Sequence, residues 1–183
     1  MHFVFLSILE QCHNFDVMNM KLQLIVLLSL LIISKVHAQQ LPFTEGKYIG
    51  TMYIQKMGKT IDSFPSVLTI KTIKPDSIWQ WKTEFLSPKM PVVKNYLLKI
   101  KDLSRGVYIT DEGEGIELVN YLFGNKMFSQ FETAGFFLTA NYEWKDDEII
   151  YELTSSSKIK RSNNDVYSYN ITTLQKVIYK KEP

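Results

Sequence analysis

The segment with the strongest strand pattern is RGVYITDEGEGIELVNYLFGNKMFSQFETAGFFLTANYEWKDDEIIYELTS, which runs from Arg105 to Ser155. Its clearest segment, Phe136–Lys145, alternates apolar and polar residues in the manner of a β-strand. Successive side chains of a strand point to opposite faces of the sheet. We therefore expect this segment to bury one aromatic-rich face and to show water the other.

Short turn signals divide the stretch into consecutive strands. Gly124-Asn125, Ala134-Gly135 and Asp146-Asp147 interrupt the alternation at nearly regular spacing. Glycine and asparagine tolerate the positive φ that tight hairpins require. The pattern predicts three hairpins that link the strands Ile116–Phe123, Lys126–Thr133, Phe136–Lys145 and Glu148–Thr154.

The remaining sequence predicts more strands of the same kind: Gly46–Gln55, Pro65–Ile73, Ser77–Leu86, Val92–Lys101, Gly106–Thr110 and Val166–Tyr179. Two proline-containing segments, Ser63–Ser66 and Ser87–Pro91, are expected to be loops. The polar segment Ser155–Asp165 is expected to be either a lid or a simple connection.

The predicted fold class is all-β, an up-and-down antiparallel meander that closes into a barrel of about 8–10 strands. Closure removes the unpaired edges of the meander and covers its apolar face. A two-layer sandwich would also cover that face, but Greek-key sandwiches need long crossing connections and most joins here are short.

The N-terminal region has the pattern of an export signal. Lys21 precedes the apolar run Leu22–Ile33, and Val36-His37-Ala38 places small residues before a cleavage point. The run is shorter than the ~20 apolar residues that a membrane helix needs. We expect cleavage after Ala38, with no stable membrane insertion of the product; an uncleaved anchor is the alternative.

The predicted organisation has three parts. Signal peptides begin close to their charged residue, so translation is expected to start at Met20 or Met18 rather than at Met1. Residues 1–19 are then a non-native extension, residues 20–38 the signal peptide, and residues 39–183 a single barrel domain that is periplasmic or secreted.

Positive and negative charges are nearly balanced, with 21 Lys and Arg against 19 Asp and Glu. This balance argues against a dedicated nucleic-acid or acidic-membrane binder. The charges are nevertheless segregated: Lys56–Lys101 and Lys158–Lys181 are basic, and Asp111–Glu152 is acidic. In a meander these blocks become adjacent sectors, which are either solvated outer faces or a docking surface for an envelope partner.

Every histidine and the single cysteine precede the expected cleavage point, at His2, Cys12, His13 and His37. The domain at residues 39–183 therefore has neither imidazole nor thiol. Their lack excludes disulfides, Ser-His and Cys-His nucleophiles, Cys/His zinc sites and histidine-ligated haem. We expect a protein that is not an enzyme and that holds no cofactor.

Carboxylates are the remaining candidates for chemistry, and Asp111, Glu112, Glu114 and Glu117 cluster around two glycines. Two converging carboxyls would suit glycoside hydrolysis, and several carboxylate oxygens would suit Ca²⁺. A calcium-loop spacing is not present. An exposed acidic turn is the simpler interpretation, and we assign no catalytic or metal site to the cluster.

Aromatic residues are plentiful on the faces expected to point inward. In a barrel near eight strands such side chains either fill the interior or line a cavity for one small ligand. A ligand cavity is expected to be apolar, with a volume of about 300 Å³ or more. The residues assigned to ligand binding are Trp79, Trp81, Phe85, Phe136, Tyr142, Trp144 and Tyr151, with Tyr121 and Phe131 as further candidates.

Two segments carry a resemblance to known families. Gly46-Lys47-Tyr48-Ile49-Gly50 resembles the opening strand of the lipocalins, in which a glycine, one spacer and a tryptophan stand where this chain has Gly46, Lys47 and Tyr48. Tyr108–Ile116 is similar to a signature of small exported proteins of uncharacterised families. The resemblance implies a lipocalin-like (calycin) barrel.

These observations lead to one expected function and two rivals. The expected function is an exported, non-catalytic barrel that binds a small apolar or amphipathic molecule in its interior. The first rival is a structural or protein-interaction module of the cell envelope. The second is a carboxylate enzyme, which would need two carboxyls to converge in one concave site with a raised pKa.

Overall fold

The computed structural model describes residues 42–161 and 168–183. The predicted extension at residues 1–19 and the signal peptide at residues 20–38 lie outside these ranges. The described chain forms one turn of 3₁₀ helix, Leu103–Arg105, and ten strands. The strands are β1 (Gly46–Lys56), β2 (Lys59–Lys74), β3 (Ile78–Phe85), β4 (Val92–Asp102), β5 (Val107–Gly113), β6 (Ile116–Phe123), β7 (Lys126–Thr133), β8 (Phe136–Lys145), β9 (Glu148–Arg161) and β10 (Ser168–Lys181).

The ten strands form one closed barrel in which each strand is antiparallel to both of its neighbours. Strand order around the barrel follows strand order along the chain, and β1 pairs with β10 to close it. Tyr48 lies opposite Lys181 at one end of this seam, and Gln55 lies opposite Leu174 further along it. The predicted all-β, up-and-down antiparallel barrel is confirmed.

The central hairpins also follow the sequence pattern, since β6, β7 and β8 have the predicted bounds. At Ala134-Gly135 both residues have positive φ, 47° and 82°. Two consecutive positive φ angles are typical of a type I′ turn, whose twist matches that of the flanking strands. Met57-Gly58, which joins β1 to β2, has the same pattern with φ of 50° and 74°.

The loop predicted at Ser63–Ser66 is wrong, because β2 passes straight through it. Pro65 pairs with Thr51 of β1, and its carbonyl accepts a hydrogen bond from the backbone N–H of Leu86 at 2.9 Å. The backbone nitrogen and carbonyl of Pro65 therefore point toward Leu86, which lies just beyond the end of β3. A missing N–H interrupts no ladder there, so the strand tolerates the proline.

The predicted loop at Ser155–Asp165 is wrong over residues 155–161, which continue β9; residues 162–167 lie outside the described ranges. Ser155 and Ser156 pair with Leu138 and Phe137 of β8 on one side. On the other side the hydroxyl of Thr172 in β10 donates to the Ser155 carbonyl at 2.8 Å. Backbone pairing on both sides holds this serine-rich segment in the sheet without an apolar face.

The residues before β1 plug one end of the barrel, which we call the closed end. Phe43 packs edge-on against Trp79 and Trp81, with ring centres 5.3 and 5.5 Å apart, and lies 5.7 Å from the ring of Trp144. Thr44 fixes this segment, because its carbonyl accepts a hydrogen bond from the phenol of Tyr48 at 2.9 Å. The opposite end, where β1 turns into β2, is the open end.

Candidate ligand cavity

A cavity of about 240 Å³ lies in the barrel between the closed and open ends, and strands β3 to β9 form its wall. It is smaller than the expected volume of about 300 Å³. Phe43 and the tryptophans around it account for the difference, because they fill the closed end. The wall is also less apolar than expected, since it mixes rings with hydroxyl, amide and charged groups.

Three of the aromatic rings in the wall pack against one another. Trp81 meets Tyr142 edge-on with ring centres 5.3 Å apart, and Tyr142 lies 4.8 Å from Tyr151. Burial raises the pKa of Tyr142 to about 12, although a hydrogen bond with Trp81 opposes the rise. Burial likewise raises the pKa of Tyr151 well above its ordinary value. Both phenols are therefore neutral at physiological pH and can donate hydrogen bonds to a ligand.

A polar part of the wall comes from β5, β6 and β7. The Asn120 amide donates to the hydroxyl of Thr110 at 2.9 Å and to the carbonyl of Leu118 at 3.0 Å. The hydroxyl of Ser129 donates to the carbonyl of Val119 at 2.9 Å. These bonds fix the orientation of the side chains before any ligand arrives, so this part of the wall is preorganised.

Two charged residues line the cavity near its open end, Glu112 on β5 and Lys94 on β4. Tyr96 lines the cavity beside them, and the Lys94 ammonium lies 5.7 Å from its ring centre. Burial raises the pKa of Tyr96 to about 12, and the negative charge of Glu112 adds to the rise. Lys94 itself is exposed to solvent.

The residues assigned to ligand binding fall at three depths along the barrel axis. Those that line the cavity are Trp81, Phe85, Tyr142 and Tyr151, together with the further candidate Phe131. Trp79 and Trp144 lie deeper, in the packing around Phe43. Phe136 begins β8 at the open end and is 43% exposed. Tyr121 lies on the outer face of β6, because its neighbours Asn120 and Leu122 are buried on the inner face, so it does not line the cavity. The alternation identified the inward face of Trp79, Trp81 and Phe85 but not the depth of each residue.

The sequence interpretation did not include Tyr96, Asn120 or Lys94 in the site. Tyr96 follows Lys94-Asn95 and precedes Leu97-Leu98 in β4, so strict apolar–polar alternation does not mark its inward face. Thr83 also lines the cavity, and its position between Trp81 and Phe85 on the same face was the available signal for it. Alternation along β3, β4 and β6 places these polar residues on the inner face when the strands have their full observed length.

The acidic cluster is divided between the two faces of the sheet. Glu112 lines the cavity, whereas Asp111 lies on the outer face and forms an ion pair with Lys99. The hydrogen bond from Lys99, together with one from the Gly113 N–H, lowers the pKa of Asp111. Glu114 and Glu117 are exposed. The four carboxyls therefore do not converge in one concave site.

No three of the Asp and Glu side chains in the described ranges are close enough together to hold a metal ion. The outer carboxylates instead pair with lysines where the acidic block borders the basic blocks. Lys99 pairs with Asp111 on one border, and Lys176 pairs with Glu152 at 2.8 Å on the other. These pairs neutralise charge along both borders of the acidic sector.

A smaller pocket of about 80 Å³ lies at the closed end, between Thr44, Tyr48, Trp144 and Lys181. The buried indole N–H of Trp144 has no hydrogen-bond partner among the described residues. The Lys181 ammonium donates to the hydroxyl of Thr44 at 3.0 Å. A pocket of this size and polarity has room for ordered water, which would satisfy the indole.

Comparisons with known proteins add no relative: the sequence matches no protein-family model, and no curated protein is similar to it. Within residues 42–161 and 168–183, no helix has the length and apolar character needed to cross a membrane. The barrel and its cavity are therefore the features from which a function has to be inferred.

Proposed function

We propose that this chain is an exported, non-catalytic, lipocalin-like barrel that binds a small amphipathic molecule in its interior. The observation that carries the proposal is the cavity of about 240 Å³, which a closed barrel surrounds and which has aromatic rings on one side and fixed polar groups on the other. Small-molecule sites are typically concave, mostly apolar and provided with a few well-placed polar groups.

The volume restricts the ligand to a small molecule. An apolar cavity of about 150 Å³ is large enough to hold benzene. A cavity of about 240 Å³ therefore suits a ligand of roughly ten non-hydrogen atoms by the same measure. Long acyl chains exceed this volume unless part of the chain remains outside the open end.

The wall favours a ligand with one flat apolar part and one polar part. Trp81, Tyr142 and Tyr151 offer ring faces and edges for stacking. The phenols of Tyr142 and Tyr151 and the carboxylate of Glu112 offer one or more hydrogen-bond partners. A purely apolar ligand would leave the hydroxyls of Tyr142 and Tyr151 without water or an acceptor, at a cost of about 1–3 kcal/mol for each.

Binding without catalysis is the function that the residue types support. Residues 39–183 contain neither histidine nor cysteine, which are the usual bases and nucleophiles at neutral pH. Glu112 is the carboxylate that lines the cavity, and Asp111 lies on the opposite face. A glycosidase would require a second carboxyl across from the first.

Native mass spectrometry of the protein purified from its source tests this proposal. We expect a retained small molecule in the wild type and its loss in Ala140→Phe, because residue 140 lines the cavity and the added ring would fill roughly half of it. Thr139→Phe is the matched control, since the same ring is added at the next residue of β8, on the opposite face. Retention by Ala140→Phe, or no molecule in the wild type, would refute interior binding.

A further inference from the structure

Interior binding does not by itself specify the polar group of the ligand. The charged side chains around the cavity indicate whether that group is cationic, neutral or anionic. Among the described residues, the cavity wall contains one acidic side chain, Glu112, and one basic side chain, Lys94. They differ in exposure, because Glu112 is partly buried and Lys94 is exposed. Water and salt screen an exposed charge much more strongly than a buried one, so the carboxylate dominates the potential inside.

The effect of Glu112 extends to the aromatic part of the wall. Its negative charge contributes to the raised pKa of Tyr96, Tyr142 and Tyr151 alike. Glu112 lies on the cavity side of β5 and lines the cavity together with Tyr96. An anion placed among these phenols would be repelled by Glu112, whereas a cation would be attracted.

The rings themselves add to this preference. Trp81, Tyr142 and Tyr151 pack in one continuous group, with successive ring centres 5.3 and 4.8 Å apart. The faces of tryptophan and tyrosine rings are electron-rich and attract cations within about 6 Å. A carboxylate next to several such rings is a combination that recognises an ammonium group.

We propose that the ligand is a small arylalkyl amine, which inserts its ring among Trp81, Tyr142 and Tyr151 and places its ammonium next to Glu112. This inference rests on the proposed interior binding and specifies its ligand class. The ammonium would donate hydrogen bonds to the Glu112 carboxylate. The Lys94 ammonium is exposed to solvent at the open end, so it does not compete with the ligand's ammonium for the space inside the cavity.

Isothermal titration calorimetry with three probes of nearly equal size tests the charge preference: phenylethylamine, phenylethanol and phenylacetate. Because a hydrogen bond to a charged group contributes more than a neutral one, we expect the amine to bind at least about tenfold more tightly than the alcohol, and the carboxylate to bind most weakly. This comparison uses the wild-type protein, so it does not depend on the folding of a variant.

Glu112→Gln removes the charge and keeps nearly the same size and shape, so it should bring the affinity for the amine down to that for the alcohol. Glu117→Gln is the matched control, because it removes an equal charge from an exposed position on β6 and should leave the tenfold preference in place. Equal or tighter binding of the alcohol or the carboxylate by the wild type would overturn the amine inference and leave interior binding intact. If none of the probes binds, the amine inference fails, and the molecule retained in native mass spectrometry then decides interior binding separately.

Discussion

Truncation of Phe43 to alanine should remove a large part of the stability of the barrel. Phe43 is 8% exposed and contacts the rings of Trp79, Trp81 and Trp144. Deleting a buried phenylalanine side chain costs about 3–5 kcal/mol through lost burial and the space left behind. Each edge-on ring contact contributes about 0.5–1.5 kcal/mol beyond burial, so the upper part of that range is expected. A domain of ordinary stability has about 5–15 kcal/mol in all.

Urea unfolding followed by tryptophan fluorescence measures this loss, and the rings that contact Phe43 are themselves the reporters. The midpoint should fall while the dependence on urea concentration stays the same. Phe123→Ala is the matched control, because Phe123 is 67% exposed, and it should change stability by no more than about 0.5 kcal/mol. A loss below about 1 kcal/mol for Phe43→Ala, or equal losses for both variants, would refute the view that the segment before β1 plugs the barrel.

Three further predictions concern stability. Burial raises the pKa of Tyr142 from 10.0 to about 12. The contribution of this shift to the free energy of unfolding is at most about 3 kcal/mol. It is complete below pH 10 and is lost as the pH rises through about 12. Urea unfolding at a series of alkaline pH values should show a shallower fall for Tyr142→Phe; an unchanged slope would contradict the assignment. In Gly50→Ala the new Cβ would lie 2.5 Å from the carbonyl oxygen of Ile178, so a loss of about 1–3 kcal/mol is expected in the same assay, and wild-type stability would show that the seam has room for a methyl group. Asp111→Asn should leave the unfolding midpoint nearly unchanged, because water and salt screen its ion pair with Lys99; a large fall would mean that this pair is structural.

The strand pattern was predictable where apolar alternation and turn residues coincide. Strands β6 to β8 have the expected bounds because Gly124-Asn125 and Ala134-Gly135 mark their ends. Prediction failed at Pro65 and at Ser155–Arg161, where neither signal applies. Both segments are held by backbone pairing with the strands next to them, β1 for Pro65 and both β8 and β10 for Ser155, and one sequence gives no direct sign of how far such pairing extends.

The cavity was only partly predictable for a related reason. Alternation shows which face of a strand is inward, but the depth of a residue along the barrel axis depends on how neighbouring strands are staggered. Trp81 therefore lines the cavity while Trp144 packs beneath it and Phe136 is exposed at the open end. The sequence pattern predicts a strand that ends at Thr110, and it therefore places Glu112 in the turn that follows. Extending β5 to Gly113 places Glu112 inside and Asp111 outside by alternation alone.

The most direct test of interior binding is an NMR titration that follows the indole N–H signals of the three tryptophans while the arylalkyl amine, alcohol and carboxylate are added in turn. Trp81 lines the cavity and packs edge-on against Tyr142, whereas Trp79 and Trp144 lie beneath it around Phe43. Any compound of this series that binds should shift the Trp81 signal most, and Ala140→Phe should abolish the shift. Binding that leaves Trp81 unchanged and shifts only residues on the outside of the barrel would contradict a ligand in the interior.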